Sequence, residues 1–257
     1  MVCNSRSLGV RLIARPTSLV ARMPVCQVHK LGLLAYAPAF ELQLKMVRQI
    51  AEGQRPPTLL LLEHPHTFTT GRLGRPEHLL WDHGQLAARQ IELHQSDRGG
   101  DFTYHGPGQL VGYPLLPLGS VDQRDHLPQA DYVGYLRRLE QVLVNALGEF
   151  GVVGHRMDGL TGVWVSAGQS WAKVAAIGVK IDARGVSRHG FALNVDPDMT
   201  YWQGIVPCGI ERYAVTSLAE QVGRPIDPEA VAGAVVQHFG RQFGYRMLKV
   251  EPEPASA

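Results

Sequence analysis

The sequence predicts an α+β domain, built as a mainly antiparallel or mixed sheet flanked by helices. Three observations carry that expectation. Helices are expected in three main stretches, two from apolar residues at helical spacing and the last from its start signal. Between the second and third of these lies a series of strand-like segments joined by hairpin linkers. No internal repeat or low-complexity linker divides the chain. With 257 residues there is material for one large domain or two small ones. The expected partition is an arginine-rich extension over 1–24, one folded body over 25–250 and a short tail over 251–257.

Taken in order, the first helix is expected from Pro38 to Gly53. Phe40, Leu42, Leu44, Val47 and Ile50 recur at helical spacing, Pro38 suits a first turn, and Gly53 can end the helix. Thr58 to Glu63 reads as a short buried strand, and its polar exit, His64 to Arg72, reads as part of a pocket wall. A zinc site at His64 and His66 is disfavoured because no third ligand stands near in sequence. Residues 74–97 give only a short helix near Gln85 to Arg89. After a polar loop at 119–130, Asp131 can cap a helix with Val133, Leu136, Leu139, Val142, Leu143, Leu147 and Phe150 on one face, ending at Gly151.

Strands are expected at 162–165, 173–181 and 191–195, with hairpin chemistry at 166–170 and 182–185. Thr216 to Glu220 has the pattern of a capping box. Asp227-Pro228-Glu229 opens a last helix reaching Phe243, and Tyr245 to Val250 forms a terminal strand.

The densest signal is the run Arg98-Gly99-Gly100-Asp101-Phe102-Thr103-Tyr104-His105-Gly106-Pro107-Gly108-Gln109. Four glycines and a proline among polar and aromatic residues do not suit a core. They suit a strand, a tight turn and a second strand forming a wall against which a ligand lies, or a glycine-rich hairpin without one.

Composition excludes several function classes. The hydrophobic share of 45% and charged share of 19% are those of ordinary globular chains. The net charge of +2 hides an asymmetry: Arg6, Arg11, Arg15 and Arg22 stand in an acid-free start. Without them, 21 basic residues face 23 acidic ones, so the remainder is about −2. A nucleic-acid binder would carry a basic domain. No apolar run is long enough for a membrane helix. The arginine-rich, serine-containing start resembles a mitochondrial transit peptide, and equally fits a disordered extension or an upstream start codon. Cys3, Cys26 and Cys208 lack CxxC spacing, which points to a reducing compartment: the cytoplasm, or the mitochondrion if the start is a transit peptide.

Cys208 has the one setting that suggests a reactive thiol. Pro207 before it and Gly209 after it favour a turn, with neighbouring backbone N–H groups free to bind an oxyanion. The alternative is a small buried hydrophobe. Lys173, which interrupts an apolar strand, is the candidate activator, the alternative being a strand-end lysine with its head in water. An ammonium at ~4 Å is worth about 4 kcal/mol at an effective dielectric of 20. Lowering a thiol pKa by about two units needs only ~2.7 kcal/mol. His105 and His189 are open between acid, hydrogen-bond donor and structural roles, so a cysteine–histidine hydrolase stays possible. Neither a GxxxxGK[ST] loop nor a GxGxxG fingerprint is present.

The run from Arg98 to Gln109, followed by Tyr113-Pro114, resembles the signature of the lipoate-protein octanoyltransferases. The likeness continues through Leu62 to Pro65, Lys173 to Gly178, His189 to Asn194 and Val206 to Ile210, and covers about 28–245. It implies the fold of the biotin and lipoate protein ligases and an acyl transfer that uses no cofactor. The implied donor is octanoyl-acyl carrier protein. The implied acceptors are lipoyl domains of 2-oxoacid dehydrogenase complexes and the glycine cleavage H protein. Through the same resemblance, Cys208 is the expected nucleophile and Lys173 the lysine that lowers its pKa. Arg98, Gly99, Gly100, Asp101, Phe102, Thr103, Tyr104, His105, Ala176, Ile177, Gly178, Gly190, Phe191 and Ala192 are the expected substrate contacts. An ATP-dependent ligase of that fold, a non-catalytic carrier-docking module and a thioesterase are the alternatives.

Overall fold

The computed structural model describes residues 23–119, 129–210 and 212–250. In chain order the strands and helices are β1 (Val25–Leu33), α1 (Tyr36–Ala51), β2 (Thr58–Glu63), β3 (Thr67–Thr70), α2 (His83–Ala88), β4 (Glu92–Gln95), β5 (Phe102–His105) and β6 (Gln109–Leu115). Then follow α3 (Gln129–Gly148), β7 (His155–Met157), β8 (Leu160–Ala167), β9 (Ser170–Ile181), β10 (Ser187–Asn194), β11 (Ala214–Val215), α4 (Leu218–Val222), α5 (Pro228–Phe243) and β12 (Arg246–Val250).

The large sheet runs β12-β1-β2-β6-β10-β9-β8-β7, with β11 added alongside β9, and a small sheet runs β4-β3-β5. Most of the large sheet is antiparallel, as its hairpin linkers predict, but β1 pairs in parallel with both β2 and β12. Helices cover both faces. On β2, Leu59 and Leu61 pack toward α3 and α5, while Leu60 and Leu62 pack toward α1. A strand buried on both faces has no polar alternation, which explains the uninterrupted leucine run. Each of these side chains contributes about 1.5–3 kcal/mol by leaving water. A third core lies beneath the small sheet, around Phe68, Phe102, Tyr104 and Trp202.

Several helix expectations need correction. α1 starts two residues before Pro38 and buries Tyr36, Ala39, Gln43, Met46, Val47 and Ile50, leaving Phe40, Leu42 and Leu44 half-buried. α3 begins at Gln129, so Asp131 is not its cap. Val133 is 49% exposed, and fully buried Tyr135 takes the expected core place. The polar loop at 119–130 lies mostly outside the described residues, as do residues 1–22 and the tail from 251. Other expectations hold closely. Ser217 and Glu220 form the capping box of α4, and the Asp227 carboxylate caps α5. Among the described residues no helix is long and apolar enough to cross a membrane.

The glycine-rich run is not a hairpin. β5 pairs with β3 in the small sheet, and β6 pairs with β2 and β10 in the large one. The chain changes sheets across Gly106-Pro107-Gly108. Gly108 has φ +82°, and a Cβ there would lie 2.3 Å from the Asp196 carbonyl oxygen, so no other residue fits that crossing.

Candidate active site

A cleft opens where the small sheet meets the large one, lined by residues of both. Two of the expected wall segments are direct partners across the sheet. Gly190 pairs with Gly178, Phe191 with Ile177 and Ala192 with Ala176, and all six line the cleft. Opposite stand Arg98, Gly99, Gly100 and Asp101, followed by Thr103 and His105 from β5. Alternation along β5 sends Phe102 and Tyr104 to the other side, into the core beneath the small sheet, so these two do not line the cleft.

Tyr36, Val111, Tyr113, His189 and Cys208 complete the lining. The sequence offers no direct signal for Tyr36, which reaches the cleft only because α1 crosses that face. Val111 and Tyr113 are recoverable by alternation from β6. The exit from β2 acts one layer out, supporting the wall rather than forming it. There the His64 Nδ1–H donates to the Leu34 carbonyl at 2.5 Å and its Nε2 accepts from the Tyr113 hydroxyl at 2.7 Å. Burial lowers the His64 pKa to about 4, so the ring is neutral.

Burial, followed by the neighbouring His64, also holds His105 well below the ordinary histidine range. Its Nδ1–H donates to Gln109, whose amide in turn donates to the Tyr104 carbonyl and to Asn194. His189 is lowered by burial too, while its 2.7 Å bond to Asp97 works in the opposite direction. Asp97 gathers His189, Lys180 and Arg188 around one carboxylate, and these partners, His189 first, depress its pKa far below the usual carboxylate range.

Arg98 is the buried cation of the cleft. Its Nη2 donates to the Thr69 carbonyl at 2.7 Å and hydroxyl at 2.8 Å, and Nη1 donates to the Gly99 carbonyl at 2.9 Å. Its Nε has no partner among the described residues. Burial pulls its pKa down, and nearby Cys208 is the strongest electrostatic counterweight. The guanidinium stays charged and places a fixed positive field at the thiol's end of the cleft.

Cys208 sits at the mouth, half-buried, in a 3₁₀ turn over Pro207–Gly209. Its φ of +55° is left-handed, a conformation that costs a non-glycine residue about 1–2 kcal/mol and is common at working sites. Of the neighbouring N–H groups expected to be free, the two after it are taken. Gly209 N–H donates to Val206 and Ile210 N–H to Pro207, because the tight turn satisfies them itself. Cys26 differs in every respect: it is fully buried, and burial raises its pKa to about 12.

Lys173 does not line the cleft. Its flanking residues Ala172 and Val174 belong to the α3/α5 core, so Lys173 turns to the other face, where its ammonium lies 4.7 Å from the centre of the Trp164 ring. On that face Tyr213, five residues after Cys208, sets its ring edge-on to Trp164 with centroids 5.2 Å apart. β11 pairs with β9 at Ala172 and Lys173, and Thr216 N–H donates to the Lys173 carbonyl at 3.0 Å.

Residues 35–240 match the family model described as the lipoyl protein ligase A/B catalytic domain. An octanoyltransferase of Chloroflexus aggregans is 46% identical over 224 residues, which cover 87% of this chain and 97% of that one. One from Koribacter versatilis is 42% identical over 225 residues, covering 88% and 87%. Among solved structures, a bi-partite lipoate protein ligase from Thermoplasma acidophilum superposes with a TM-score of 0.65 at 15% identity, covering 89% of this chain and 88% of that one. A lipoate-protein ligase A bound with ATP gives 0.61, also at 15% identity, covering 89% and 90%. At such identities the structural likeness establishes the lipoate protein ligase fold alone.

Proposed function

The chain belongs to the octanoyltransferases of the lipoyl protein ligase A/B catalytic-domain family, and from that membership we propose a two-step acyl transfer through Cys208. Octanoyl-acyl carrier protein is the donor. A lysine of a lipoyl domain is the acceptor, in 2-oxoacid dehydrogenase complexes or the glycine cleavage H protein. In the first step the Cys208 sulfur attacks the donor's thioester carbonyl and the carrier's thiol leaves. In the second, the acceptor amine displaces Cys208 and an amide forms. Exchange between thioesters is nearly isoenergetic and thioester to amide is downhill, so no nucleotide is needed. A free working thiol suits a reducing compartment, and we assign the reaction to the cytoplasm.

The observation that carries this reading is a half-buried cysteine, held in a left-handed turn, at the mouth of a cleft whose walls include Ala176, Ile177, Phe191 and Ala192. Such a cleft accepts a short acyl chain and presents its carbonyl end to sulfur and to the Arg98 field. Lys173 is assigned as the thiol's activating partner. The support is its buried place against Trp164, the ring on which Tyr213 of the segment following Cys208 also packs. Removing its charge should slow acylation of Cys208 more than discharge.

Intact-mass measurement of the protein after incubation with octanoyl-acyl carrier protein, without ATP, tests the scheme. The expected result is a gain of about 126 Da that is absent in Cys208→Ala and is discharged by an apo lipoyl domain. Acylation of the lipoyl domain only when ATP and free octanoate are supplied would instead assign the chain to ligase chemistry.

A further inference from the structure

A second, open depression lies on the solvent side of the Cys208 turn, and Leu73, Arg75, His78, Asp101 and Cys208 are among its walls. His78 and Asp101 form a pair there, with Nδ1 of the ring 2.5 Å from the Asp101 carboxylate. Asp101 is itself fixed by two backbone donors, Phe102 N–H at 2.7 Å and Arg75 N–H at 3.3 Å. The pair presses on the turn: a Cβ at position 209 would lie 2.9 Å from Asp101 Oδ2 and 3.1 Å from His78 Cε1. Backbone ties reinforce this, since Val206 N–H donates to the His78 carbonyl at 2.8 Å.

The hydrogen bond to Asp101 assigns the proton to Nδ1, which leaves the Nε2 lone pair for the depression. Nε2 makes no hydrogen bond among the described residues, and the side chain remains 14% exposed. An imidazole oriented by a carboxylate beside a nucleophile is the arrangement of a general base. Lys173 faces Trp164 and does not line the cleft, whereas His78 shares with Cys208 the walls of the open depression.

We propose that His78, aligned by Asp101, accepts the proton shed by the acceptor lysine when that amine displaces the Cys208 thiol. The inference rests on Cys208 being the acylated residue. In the step, the amine nitrogen forms the C–N bond and the C–S bond breaks. Its electron pair returns to the Cys208 sulfur, and the proton leaving nitrogen passes to His78 Nε2. The charged and titratable groups around the ring are Asp101, Arg75 and Cys208, with Arg98 behind Asp101.

The test separates loading from discharge. Octanoyl-enzyme is formed with octanoyl-acyl carrier protein and freed of donor. It is then mixed with an apo lipoyl domain between about pH 5.5 and 9, and loss of the mass adduct is timed. The expected outcome is that His78→Gln still acquires the adduct but discharges it about 100-fold more slowly, with a pH profile that differs from the wild type's. Discharge by His78→Gln at the wild-type rate, with the wild-type profile, overturns the proposal. Should His78→Gln fail to load, the isosteric Asp101→Asn takes its place: slowed discharge with a displaced profile supports the relay, and an unchanged rate and profile refute it. Absence of any adduct on wild-type protein refutes the thioester reading itself, and the His78 relay falls with it.

Discussion

Acidification should destabilise the fold through His64. The ring is fully buried, donates to the Leu34 carbonyl and accepts from Tyr113. Its pKa falls from 6.5 to about 4 on folding, chiefly by burial. Between those values the unfolded chain binds a proton that the native state refuses, so stability falls as pH falls. At about pH 5 the gap from 6.5 is roughly 1.5 pH units, worth ~2 kcal/mol, and below about pH 4 the loss stops growing. The comparison is His64→Gln, whose amide can still donate to Leu34 and accept from Tyr113 but cannot titrate. His189 responds in the same direction in both proteins and cancels, and so does the larger, burial-driven part of the His105 response. Asp97 is ionised in both states at this pH, because its stabilising effect is lost only as pH falls below its unfolded value of 3.8. Urea unfolding followed by fluorescence at about pH 7.5 and 5 should show the wild type losing ~2 kcal/mol more than the variant. Equal losses would refute the claim that His64 is held neutral by its surroundings.

Two further perturbations bear on the cleft. Gly209→Ala meets Asp101 at 2.9 Å and forces alanine to φ +66°, so the turn should cost about 1–2 kcal/mol and shift. Octanoyl loading should then drop at least about tenfold while circular dichroism stays native, and normal loading would show that the turn's shape is irrelevant. Ala192→Leu narrows the cleft at the Ala192–Ala176 pair. Octanoyl transfer should fall about tenfold with butyryl transfer nearly retained, and an equal loss for both chains would remove Ala192 from the acyl path.

Much of this architecture was legible because it is written in local chemistry. Ser217 and Glu220 announce a capping box, Asp227-Pro228 a helix start, and the linkers at 166–170 and 182–185 two hairpins. What escaped depends on long-range partners. β1 carries no clean alternation, and its parallel neighbours lie far away in sequence. The two-sheet arrangement hides behind the glycine run, since nothing local says that β5 and β6 pair with different partners. Phe102 and Tyr104 look like pocket residues by composition, yet strand alternation turns them into a core. The Cys208 turn was foreseen, but not that it would occupy the N–H groups of Gly209 and Ile210. Lys173 was seen as unusual, though only the fold reveals that its head faces Trp164.

The parallel pairing of β1 with β12 also bears on the order of assembly. Val25 lies beside Arg246, so one flank of the large sheet joins residues from opposite ends of the folded region. During synthesis β1 can dock on β2 early, but its outer row of N–H and C=O groups has no partner until β12 emerges. Such distant contacts close late and slowly. The nascent chain therefore carries an adhesive strand edge through most of its manufacture, and residues 246–250, remote from the chemistry, protect it from pairing with a neighbour.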